Sequence, residues 1–184
     1  NRLFKPMKAR AWIETAWNHQ EMMQTNAWLT SRSLIDRQGY WNESLSVDDD
    51  GEFFCRMLMG TEFVPYSSRA KSSWRIGHAD RLSKQSSQEA LMSAYRSAVL
   101  QAKTVSTQFK DSRMKRCIAN RLAERAFEIY LYDMKLGEKL WNEANEFASP
   151  TYPLKAGNLY EASKSLLGWR RARQTMETRF AGPQ

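Results

Sequence analysis

Gly39-Tyr40-Trp41-Asn42-Glu43-Ser44-Leu45-Ser46-Val47-Asp48-Asp49-Asp50-Gly51-Glu52-Phe53-Phe54-Cys55-Arg56 is the stretch on which the reading of this chain turns. Three successive carboxylates and a fourth at Glu52 stand at the head of an apolar segment. Like charges this close repel, so the cluster implies capping, metal binding or proton transfer rather than packing. Asp49 and Glu52 have the spacing of a capping box, with Asp49 as the cap and Glu52 reaching back to it. Phe53, Phe54, Met57 and Leu58 follow at helical spacing and predict a core face, and Gly60 predicts the stop. Residues 40–47 read as turn and loop.

Outward from this stretch, residues 8–19 predict a short helix with Trp12, Ile13, Ala16 and Trp17 on one side. Residues 25–30 read as extended. Ser31 offers a cap for a helix over Arg32–Gln38, which Gly39 ends. Two short strands are expected at 62–66 and 69–75, with Pro65 keeping the first at an edge. Residues 76–85 read as loop. After residue 86 the pattern is helical. One helix is expected over 86–107 through Leu91, Ala94, Tyr95, Ala98 and Val99. Another is expected over 112–134, with Met114, Ile118, Leu122, Ala126, Ile129 and Tyr130 on one stripe. Further helices are expected at 136–148, 158–167 and 169–179.

The chain of 184 residues has room for one domain with a real core or two small ones. No apolar run approaches the roughly 20 residues of a membrane span. Two cysteines, Cys55 and Cys117, read as packed, reduced thiols of a cytoplasmic protein. With His19 and His78 as the histidines, a structural zinc site is not expected. The net charge of +8 is uneven. Residues 1–85 carry 12 Lys/Arg against 10 Asp/Glu (+2), and residues 86–184 carry 16 against 10 (+6). The excess alternates with acids along helices and reads mainly as a solvated face.

The stretch 39–56 resembles the acceptor-side motif of the family-two inverting glycosyltransferases of the GT-A fold. Their pattern runs G-x-W-[DN]-E-x-L, then [ED]-D-x-E-[FY]-x-x-R. Gly39-x-Trp41-Asn42-Glu43-x-Leu45 matches the turn. Asp49-Asp50-Gly51-Glu52-Phe53-x-x-Arg56 matches the acidic motif, with Asp49 where the family more often has Glu. Residues 27–35 are similar to its strand and short helix. Ser73-Trp74-Arg75 and Leu82-Ser83 resemble its later aromatic-Arg and Leu-Ser elements. The similarity covers residues 20–85.

The resemblance implies an α-rich mixed α/β chain: an acceptor-side remnant of a GT-A domain with few short strands over residues 1–85, then a helical bundle or appendage over 86–184. It implies sugar transfer from a nucleotide-sugar donor to the hydroxyl of a glycan, lipid-linked or protein acceptor, with inversion. Asp50 would be the general base. A helix N-terminus favours a carboxylate's charged form by about 0.3–1 kcal/mol, which suits that role. Asp49 and Glu52 would cap the helix or touch the acceptor, with Trp28 and Trp41 as flat faces for it. Arg75 and His78 fall where the family approaches the diphosphate. The implied divalent metal (Mg or Mn) would be held by the nucleotide-binding half, which nothing before residue 20 supplies. The expectation is therefore of a C-terminal portion, inactive alone. Asp48-x-Asp50 spells a D-x-D metal signature, but it follows a polar turn and opens a helix instead of ending an apolar strand.

Each residue has a plainer use. The three aspartates also suit a bare helix start, Trp28 and Trp41 a core, and Arg56 an ion pair along its own helix. The alternative function is a helical module that docks on a partner protein or, through the basic Trp169-Arg170-Arg171-Ala172-Arg173 run, on the inner face of an anionic membrane. A pI near 9.6 suits nucleic acid, but no zinc-finger spacing, RNA-recognition signature or helix-turn-helix accompanies it, which disfavours that partner.

Overall fold

Ser31, Ser87, Asp111 and Asp133 each precede an amphipathic run and each accepts a backbone N–H of the first turn from its side chain, at 2.9–3.3 Å. These four helices therefore start where short polar side chains satisfy the free amides. The computed structural model describes residues 1–73, 87–151 and Gly168. Among these, α1 spans Ala9–His19, α2 Arg32–Gln38, α3 Asp49–Met59, α4 Gln88–Gln108, α5 Ser112–Tyr130 and α6 Met134–Phe147. The chain is α-rich with a minor sheet: β1 (Met7–Lys8) pairs antiparallel with β2 (Phe63–Val64), Met7 opposite Val64 and Lys8 opposite Phe63. None of the described helices is long and apolar enough to cross a membrane.

One apolar core takes side chains from both sides of residue 85. Ile13 of α1 and Leu58 of α3 meet Ala98 and Val105 of α4, Ile118 and Leu122 of α5, and Leu140 of α6. Fully burying one such Leu or Ile contributes roughly 1.5–3 kcal/mol. The expected α5 stripe from Met114 to Tyr130 is buried throughout, and both cysteines are buried and free. Burial pushes each thiol up to about 12.

Several expectations need correction. The run 25–30 opens with a 3-10 turn at Thr25–Ala27 before it extends. The 62–66 strand shortens to two residues, and its partner, Met7–Lys8, has too little length to show a period of two. Residues 69–73 are not in a strand. α5 stops at Tyr130, because Asp133 caps α6 instead of extending α5. Arg75, His78, the Leu82-Ser83 pair, the 158–167 and 169–179 helices and the basic run at 169–173 lie outside the described residues.

Gly137 sets the distance between α5 and α6. A Cβ there would stand 2.7 Å from Tyr130 Cα and 2.9 Å from Tyr130 N, both backbone atoms that cannot swing aside. Gly137→Ala gains about 1 kcal/mol of helix propensity. The clash is expected to outweigh it, for a net loss of about 1–3 kcal/mol, read as a lower urea midpoint. A raised midpoint would show that α6 shifts freely on α5.

Candidate functional site

The acidic turn is held from outside, by α4 and α5. Asp48, the residue before α3, adopts a left-handed conformation (φ 61°, ψ 24°) that Asp tolerates better than most side chains. Its carboxylate makes no cap. It turns inward, where Arg125 Nη2 lies 2.9 Å from Oδ1 and Arg121 Nη2 lies 3.6 Å from the same oxygen. Gln101 Nε2 donates to Oδ2 at 2.8 Å. Ser97 Oγ stands 2.7 Å from the Asp48 carbonyl and 2.8 Å from Oδ2, one hydroxyl proton serving both. Four residues earlier on α4, Ser93 Oγ accepts the N–H groups of Ser46 and Val47 (2.8 and 2.9 Å) and donates to the Val47 carbonyl. Ser93, Ser97 and Gln101 are all buried, a polar stripe inside an otherwise apolar face.

Burial alone would raise the Asp48 carboxyl. The charges of Arg125 and Arg121, with the Ser97 and Gln101 hydrogen bonds, outweigh it and hold the group below the usual carboxylate range. Burial likewise opposes charge on Arg121, but Asp48, Glu124 and Glu128 raise its pKa above the ordinary arginine value.

Gly51 makes this arrangement fit. A Cβ at that position would lie 2.6 Å from Asp48 Oδ1 and 3.0 Å from Gln101 Nε2. The glycine inside the first turn of α3 is therefore the space that the Asp48 carboxylate occupies.

The capping box expected between Asp49 and Glu52 does not form. Asp48 holds the N-cap position, and the buried Glu52 is engaged by Arg56, Nε to Oε1 at 2.7 Å. Arg56 also donates to the carbonyls of Gly39 (2.9 Å) and Tyr40 (2.8 Å). It thus pairs along its own helix, as its spacing predicts, and also satisfies the end of α2, where a cation suits the dipole. The pinned turn sets Trp41 on Phe53, ring centroids 4.3 Å apart and planes within 6°. Trp28 stacks on Phe54 at 4.7 Å.

A groove of about 1030 Å³ opens beside this turn. Trp28, Trp41, Asp49 and Asp50 line it together, and Arg121 and Arg125 form part of its wall. Glu52 does not line it. Each tryptophan gives one face to the core, while Trp41 remains 40% exposed and Trp28 is half-buried. Asp50 Oδ2 accepts a hydrogen bond from Thr25 Oγ1 at 2.8 Å, and Oδ1 accepts the Gly51 N–H at 2.9 Å. A carboxylate so held, on an open groove that two indoles also line, can orient and deprotonate a hydroxyl.

The acidic turn is not built for a cation, which the resemblance assigns instead to the nucleotide-binding half. Asp48 is taken up by two arginines, and no group of three Asp, Glu, His or Cys side chains among the described residues is placed to hold a metal. Sequence reasoning missed Ser93, Ser97, Gln101, Arg121 and Arg125. Their signal is faint but real: polar residues every fourth position on an apolar face, and arginines four apart. No family model, curated protein or solved structure matches the chain.

Proposed function

We propose that this chain carries the acceptor side of an inverting glycosyltransferase that uses a nucleotide-sugar donor. The observation that supports this best is the meeting of Asp50, Trp41 and Trp28 on one groove, since these come from the acidic turn, the aromatic turn and the segment before it, three separate parts of the matched stretch. In the reaction, the acceptor oxygen attacks the anomeric carbon as its proton passes to the Asp50 carboxylate. The bond from that carbon to the phosphate oxygen breaks on the opposite face, and the nucleoside diphosphate leaves with the electron pair. The indoles offer flat apolar surfaces to a sugar ring or lipid. Asp49, beside Asp50 on the groove, is available to an acceptor hydroxyl. Arg75 and His78 remain candidates for the diphosphate.

The reading requires a strand–helix repeat ending in an acidic metal motif upstream of Asn1. A coding sequence without one overturns it. With the full-length protein, a panel of nucleotide sugars and saccharide or lipid-linked acceptors is expected to give acceptor-dependent release of nucleoside diphosphate. The product anomer, read from its proton coupling constant, is expected to be inverted. Retention, or release of diphosphate by no donor in the panel, counts against the proposal.

A further inference from the structure

We infer that Asp48 is a positioning residue for this site: clamped by Arg121, Arg125, Ser97 and Gln101, it fixes the left-handed turn that opens α3 and so aims Asp50 into the groove. The inference rests on the reading of Asp50 as base. Its geometric ground is independent of that reading. Asp48 is two residues from Asp50, and its side chain is only 13% exposed. It receives two charges from α5 and hydrogen bonds from two side chains of α4. The direction of α3's first turn is set by where this carboxylate sits, because the backbone at Asp48 gains no cap from its own side chain. Within that first turn Gly51 leaves room for it.

Helices α4 and α5 therefore have a use in catalysis through the turn they hold. They hold the acidic turn as a mould holds a casting: Ser93 grips the backbone at 46–47, Ser97 the Asp48 carbonyl, and the two arginines the Asp48 carboxylate. A misplacement of about 1 Å at a reacting group costs up to roughly 10²-fold in rate.

The test separates the side-chain clamp from the backbone conformation. Glycine adopts the left-handed region freely, so Asp48→Gly keeps the turn accessible but removes the clamp. Asp48→Asn tolerates the same region and keeps an acceptor for Ser97 and Gln101. In the full-length protein, kcat is expected to fall from wild type to Asp48→Asn and further to Asp48→Gly, by about 10²-fold for the latter, with donor KM little changed. Gly51→Ala alters no charge but puts a methyl group where the carboxylate sits, and it is expected to behave like Asp48→Gly. Hydrogen exchange of the 46–52 amides is expected to accelerate about tenfold or more in the Asp48→Gly and Gly51→Ala variants, with α6 amides unchanged. A rate for Asp48→Gly at or above that of Asp48→Asn, or unchanged exchange at 46–52, overturns the clamp. If the wild type transfers no sugar, the reading of Asp50 as base fails instead, and the exchange order still decides whether Asp48 holds the turn.

Discussion

Asp50→Asn in the full-length protein is expected to lower sugar transfer by about 10²–10⁴-fold, the range of a lost general base. The amide keeps the shape of the carboxylate and can still accept from Thr25 Oγ1 and the Gly51 N–H. The fold and the groove should therefore persist. As the proposed base, Asp50 would act on the acceptor proton, so donor affinity should be nearly unchanged. Initial rates of diphosphate release, paired with calorimetric titration of the donor, check both halves. Retained turnover would leave Asp50 as a structural partner of Thr25. Equal loss of donor binding would put it on the wrong substrate.

The second large effect is on stability. Asp48→Ala leaves the Arg125 and Arg121 guanidinium groups without their shared carboxylate in a largely buried site. Breaking such a pair costs about 3–5 kcal/mol. The lower end is expected, because Arg121 keeps Glu124 at 3.0 Å and Arg125 keeps Glu128 at 2.6 Å. The effect has a pH signature. The folded-state pKa of Asp48 is depressed, so its contribution is fully present above the unfolded value near 3.8 and is lost as pH falls through the folded value. The gap in denaturation midpoint between wild type and Asp48→Ala should be widest at neutral pH and should narrow below about pH 4. A gap that stays constant into acid would mean that the carboxylate's charge contributes nothing.

Local patterns in the chain were legible where they bury a continuous face. The α5 stripe, the Ser31 cap, the stop at Gly60 and the amphipathic α1 all rest on contacts within a few residues, and these repeat with the helical period. The start of α3 was misread for a definite reason. By local rules Asp49 and Glu52 form a capping box, worth of order 1 kcal/mol. Arg56 takes Glu52, and Arg125, far along the chain on α5, takes the carboxylate of Asp48, the residue that actually sits at the N-cap. The first pair is local and competes directly with the cap; the second joins residues on different helices, and no short window contains both its partners. The two-residue ribbon β1–β2 was missed for a related reason: its pairing is non-local and too brief to leave a period.

By itself the sequence determined the helix-rich character, the core-facing stripes of α1 and α5, and the candidacy of Asp50, Trp28 and Trp41. These follow from spacing, capping chemistry and the motif, which are properties of neighbouring residues. Only the tertiary structure decided which acid is taken up by cations. It paired Asp48 with two arginines and, among the described residues, left Asp49 and Asp50 without a cation on the groove that Trp28 and Trp41 also line. Three consecutive aspartates are alike in sequence; the low-dielectric interior beside α4 and α5 accepts a carboxylate only where cations and donors await it, and that place is reached by one of the three.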